Sequence, residues 1–123
     1  MYKVQLLDPE RRIIELVWSG KVQPEEVEEV NQKFLEIIKS FDGKPFDALV
    51  DLSTLISFPP ETQRGIAEQQ KMALEKGLRR SAVVVPSGAV RAGLNTISNK
   101  SGLQTEFHFA SRQEALAFLQ SDQ

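Results

Sequence analysis

The sequence predicts an α/β fold: an N-terminal β-hairpin followed by β-α repeats, forming a five-stranded, mixed, mostly parallel sheet flanked by four helices. Three observations predict it. Two short extended segments are joined by an Asp-Pro turn, apolar runs rich in valine alternate with stripes at helical spacing, and the connections between them are short. Such alternation needs a parallel sheet covered by helices, because each element has a single apolar face to bury. The 123 residues suit one domain spanning 1–123.

Tyr2–Leu7 alternates weakly between apolar and polar side chains and reads as a strand. Asp8-Pro9-Glu10-Arg11 is a type I turn, in which proline presets its own φ and the aspartate caps the turn. Ile13–Trp18, with β-branched and aromatic residues, completes the hairpin. Ser19-Gly20 breaks it. Pro24 opens a helix where its missing N–H is harmless, and Glu25 and Glu26 favour the positive end of the helix dipole. Val27, Val30, Phe34, Ile37, Ile38 and Phe41 form one stripe, which Gly43 and Pro45 terminate.

Phe46–Leu52 is a buried strand, and Ser53–Pro59 a loop. A second helix runs from Pro60 to about Lys76 with a thin apolar face (Ile66, Ala67, Gln70, Ala73, Leu74), and Gly77 stops it. Arg80–Val85, with three consecutive valines, suits a strand covered on both sides. Pro86-Ser87-Gly88 turns into a third helix over 89–99. Glu106–Phe109 is the last strand, and Ser111 to Glu114 has the spacing of a capping box at the start of the fourth helix.

Composition narrows the function classes. The hydrophobic share is 41%, the charged share 26% and the formal net charge -2, with Lys and Arg spread along the chain. That is no nucleic-acid footprint, which needs a basic stripe or patch. The absence of cysteine removes disulfides, thiol nucleophiles and zinc ribbons, and agrees with a reducing compartment. No run approaches the roughly 20 apolar residues of a membrane span, and no signal peptide is evident. A cytoplasmic location is expected, with no metal and no cofactor.

In open α/β sheets, ligands meet the carboxyl ends of the parallel strands. The residues expected there are Asp51, Ser53, Ser57, Phe58, Glu61 and Thr62 after one strand, Ser87, Gly88 and Arg91 after the next, and the stretch Phe109-Ala110-Ser111. Asp51 has the chemistry of a general base or metal ligand, but no partner stands at a matching spacing. The plainer reading is a strand-end carboxylate that caps loop amides. Ser87 and Gly88 could cradle an anion with Arg91, or serve as an ordinary helix cap. His108 is the sole histidine, so neither a metal site nor a hydrolase triad is indicated. Phe58, with Pro59 and Pro60, is a core plug or an exposed contact.

The hairpin, the strand ending Leu49-Val50-Asp51-Leu52-Ser53, the strand Arg80–Val85 and the ending Phe109-Ala110 with Ala115–Leu119 resemble the STAS superfamily. More narrowly they resemble its SpoIIAA-like group of small bacterial proteins, sometimes likened to CRAL-TRIO lipid-binding domains. The resemblance covers nearly the whole chain and implies a regulatory, protein-binding role. In the anti-sigma factor antagonists of that superfamily, Asp-Leu-Ser leads to an Asp-Ser-Ser-Gly turn, where a partner kinase phosphorylates a serine. Here Asp51, Leu52 and Ser53 match, whereas Pro59, Pro60 and Glu61 fall over Asp-Ser-Ser. The acceptor turn is degenerate, and Glu61 lies where the phosphate charge would develop.

Three hypotheses follow. The first is a non-enzymatic module that binds a protein partner through Ser53–Thr62 and Ser87–Arg91. The second is a carrier or sensor of a small apolar, lipid-like ligand, suggested by the thin face of the second helix. The third, an enzyme using Asp51 or Glu61 with Arg91, lacks the positioned partners that acid–base work needs. A homodimer is also expected as an option, because the hairpin offers an edge strand.

Overall fold

In the computed structural model, which describes residues 1–85 and 106–121, seven strands and three helices follow one another. They are β1 (Tyr2–Asp8), β2 (Ile13–Trp18), β3 (Gly20–Lys21), α1 (Pro24–Lys39), β4 (Phe46–Asp51), β5 (Leu55–Ser57), α2 (Pro60–Glu75), β6 (Leu78–Val84), β7 (Glu106–Phe109) and α3 (Arg112–Gln120). The main sheet has the order β1-β2-β4-β6-β7. β1 runs antiparallel to β2, and the other neighbours are parallel. The expected five-stranded mixed sheet is therefore present. Three of the four expected helices flank it; the expected third helix, over 89–99, lies outside the described residues.

Alternation along the strands divides the core. Ile14, Leu16, Trp18, Phe46 and Val83 face α1 and α2, where they meet Val27, Val30, Phe34 and Ile66. Ile13, Leu49, Ala82 and Val84 face the other way and meet Ala115 and Leu119 of α3. Phe34 and Phe46 pack edge to face at 6.0 Å, with Phe41 beside Phe46 at 5.7 Å. Each such fully buried large side chain contributes about 1.5–3 kcal/mol by leaving water.

The local signals act as their chemistry dictates. Asp8 Oδ1 accepts the Arg11 N–H across the hairpin turn. Glu26 reaches back to accept the Gln23 N–H at 2.8 Å, closing the start of α1. Gly77, at φ 115, occupies a region that an L side chain rarely adopts, and so ends α2. Ser111 Oγ accepts the Glu114 N–H at the start of α3.

Two carboxylates lie inside the sheet where the sequence suggested apolar strands. Asp47 is buried between Arg79 and Arg80, each donating to Oδ2 at 2.8 Å. Burial alone would raise the Asp47 pKa, but the hydrogen bonds and charges of the two guanidiniums outweigh it and hold the carboxyl below its ordinary range. Glu15, also buried, accepts from Gln5 at 2.6 Å and from Arg112 Nε at 2.7 Å. β6 starts at Leu78, ahead of the expected Arg80, because Leu78 pairs with Phe46, and this earlier start brings Arg79 alongside Asp47.

Candidate functional site

The carboxyl end of β4 begins the site. Leu52 is wholly buried and donates its N–H to the Val84 carbonyl at 3.0 Å, fixing the chain as it leaves the sheet. Asp51, half-buried, accepts the Ser53 N–H through Oδ1 at 2.9 Å. Its negative charge also reinforces the raised pKa of Arg112, whose main cause is the hydrogen bond to Glu15. Asp51 thus caps the loop and sits near a cation already committed to Glu15.

The segment after Ser53 is not a plain loop. Leu55–Ser57 forms β5, which pairs in parallel with Gly20–Lys21 of β3. Gly20 N–H donates to the Thr54 carbonyl at 3.0 Å and Val22 N–H to the Ser57 carbonyl at 3.2 Å, while the Ser19 and Thr54 hydroxyls lie 2.8 Å apart. Main-chain bonds therefore tie this segment to the connection between β2 and α1. Leu55 points inward, and the next residue, Ile56, points outward with 75% of its surface exposed.

Phe58 is half-buried and packs edge to face on Trp18 at 6.1 Å, so it joins the core at the rim. Its carbonyl accepts from Gln63 Nε2 at 2.9 Å. Pro60 then opens α2. Glu61 is exposed in the first turn, where the helix dipole favours its charge. Thr62 is fully buried, and its hydroxyl donates to the Val22 carbonyl at 2.7 Å.

Of the residues singled out in the sequence, Ser53, Ser57, Phe58 and Glu61 therefore share one rim, Asp51 lies at its base and Thr62 beneath it. Ser87, Gly88 and Arg91 lie outside the described residues. Ile56 was missed, because an isolated isoleucine in a loop signals nothing about exposure. His108 lies on the outermost strand β7, with Nε2 at 2.5 Å from Glu106 Oε1. Among the described residues, no three His, Asp or Glu side chains stand together as metal ligands, and no helix is long and apolar enough to cross a membrane.

Two hollows flank the rim. A polar groove of about 350 Å³ runs between α1 and α2 over Gly65, bordered by Glu28, Glu61, Arg64 and Glu68. A second, mostly apolar cavity of about 40 Å³ lies between α2 and the sheet, lined by Trp18, Phe34, Val50 and Phe58, with Ser81 and Glu106 among its polar atoms.

Comparison with known proteins fits this geometry. The family described as SpoIIAA-like matches residues 13–120. No curated protein matches significantly. Among solved structures, the anti-sigma factor antagonist SpoIIAA in its unphosphorylated form superposes with a TM-score of 0.71 at 12% identity, over 98% of this chain and 99% of that one. The phosphorylated form of the Bacillus cell fate determinant SpoIIAA gives 0.68 at 13% identity, covering 98% and 100%. An uncharacterised Shewanella loihica protein with a SpoIIAA-like fold gives 0.72 at 13% identity, covering 97% and 92%. At these identities the structures share the fold alone.

Proposed function

The chain belongs to the SpoIIAA-like family, and from that premise we propose that it is a non-enzymatic regulatory module that binds a protein partner through the rim formed by Ser53, Ile56, Ser57, Phe58 and Glu61. One observation carries this reading. Ile56 is 75% exposed on a segment held rigid by main-chain bonds. A large apolar side chain held out in water on a fixed support, among polar neighbours, suits burial in an interface.

SpoIIAA has been solved both without and with its phosphate. On the ungapped sequence match, Pro59-Pro60-Glu61 falls over the acceptor turn of the anti-sigma factor antagonists, and in this chain Glu61 adds an acidic side chain to the first turn of α2. In the proposed module this turn does not depend on a phosphorylated serine for its negative charge. Affinity capture from the native host, followed by quantification of each captured protein, tests the reading. A genuine partner is retained by the wild type and lost by both Ile56→Asp and Glu61→Lys. If the captured proteins are the same for all three, the rim is not the binding surface.

A second reading, carriage of a small apolar ligand, rests on the thin apolar face of α2 and is limited by the size of the cavity beneath it. At about 40 Å³ it has room for only a few heavy atoms, well short of a lipid chain. A cavity that binds benzene is nearer ~150 Å³. Native mass spectrometry of protein purified from its own host, searched for a co-purifying mass, decides this alternative.

A further inference from the structure

We propose that β1 is the dimerisation strand, pairing antiparallel with β1 of a second copy of the chain about a two-fold axis through Val4. The argument starts from the hydrogen-bond phase of the hairpin. Met1 and Ser19 exchange both main-chain bonds, at 2.8 and 3.1 Å. Antiparallel ladders alternate between hydrogen-bonded and non-hydrogen-bonded pairs. With the observed register, Lys3·Val17 and Gln5·Glu15 are then hydrogen-bonded, whereas Tyr2·Trp18, Val4·Leu16 and Leu6·Ile14 are not. The N–H and C=O groups of Tyr2, Val4 and Leu6 therefore point away from β2, along the outer edge of the sheet. β1 is the terminal strand of that sheet, and among the described residues no strand pairs with its outer side.

This edge is complementary to itself. Its three outward-facing residues are evenly spaced, so a two-fold axis at Val4 sets Tyr2 opposite Leu6 of the other copy and Val4 opposite its own equivalent. Each of these pairs then exchanges two main-chain bonds. On the helix side, apolar groups meet apolar groups. Leu6, among the few large apolar side chains left exposed at 36%, is covered by the Tyr2 ring of the other copy. On the other side Lys3 faces Gln5, so no like charges oppose. The strand contains no proline and one lysine, and its one register shift lies beyond Leu6, outside the Tyr2–Leu6 stretch that would pair. Two copies sharing one identical patch form a closed pair, the commonest symmetric assembly.

The test uses the whole chain. Sedimentation equilibrium over a concentration series is expected to give a dimer. Val4→Pro removes an N–H that the β1–β2 ladder does not use, together with its counterpart in the other copy. It is expected to weaken association roughly thirtyfold, from two lost hydrogen bonds. Circular dichroism checks that Val4→Pro remains folded. Independently of any variant, amide hydrogen exchange at Tyr2, Val4 and Leu6 in the wild type should slow as concentration rises. A monomer at every concentration, or a dimer in which these three amides exchange at the same rate at all concentrations, overturns the proposal.

Discussion

The hydroxyl of Thr62 donates to the carbonyl of Val22 at 2.7 Å, joining the start of α2 to the entry of α1 in the buried interior. The bond holds the base of the rim, since Val22 also donates its N–H to Ser57. Thr62→Val keeps the shape but leaves a buried carbonyl without this donor. The expected cost is about 1–3 kcal/mol. Thr62→Ser, which keeps the hydroxyl, should cost less. Urea unfolding of both variants at neutral pH separates the hydrogen bond from the packing of the methyl group; equal losses would refute the role assigned to the bond.

Asp47 makes stability depend on pH. Its carboxyl is held below the ordinary value in the folded state, so its contribution is complete above the unfolded pKa of roughly 3.9 and is lost as pH falls through the depressed folded value. Asp47→Asn removes the charge between two guanidiniums and should destabilise the protein at pH 7 by about 3–5 kcal/mol. The difference between variant and wild type should shrink on acidification below about pH 4. Denaturant midpoints measured across that range check both statements.

Gly65 of α2 faces Val27 of α1 at close range. A Cβ there would lie 3.2 Å from Val27 Cγ1, and Val27 is buried and β-branched, so it cannot swing away freely. For Gly65→Ala, the gain of about 1 kcal/mol in helix propensity should be largely cancelled by crowding, leaving stability nearly unchanged. Gly65→Leu should lose about 1–3 kcal/mol by prising the helices apart. Thermal unfolding distinguishes the two, and a stable leucine variant would contradict the close approach.

Ile56→Asp should leave stability within about 0.5 kcal/mol of the wild type, since the side chain is exposed. Differential scanning calorimetry measures this. The result matters for the proposed rim, because loss of a partner then cannot be ascribed to unfolding.

Much of the fold was legible because its signals are local. Pro24 and Pro60 mark helix starts, Gly77 marks a stop, Ser111 caps α3, and the stripe from Val27 to Ile38 lies on one face of α1. The ion pairs were not legible. Glu15 is the one charged residue in the strand Ile13–Trp18, and the arginine that makes its burial tolerable lies 97 positions away. The face of α2 was legible only in part. Ile66 and Ala73 are buried as expected, but Gln69 is buried too, because Asn31 of α1 accepts from its amide at 2.7 Å. β3 and β5 are too short to show a period, so the rigidity of the rim had no signature in the chain.

That pairing of β3 with β5 bears on the thermodynamics of recognition. A segment already immobilised before any encounter has little backbone freedom left to surrender on docking. Calorimetry of a complex formed at this rim should therefore show a heat-capacity change no larger than the apolar area covered requires, without the additional decrement that accompanies coupled folding.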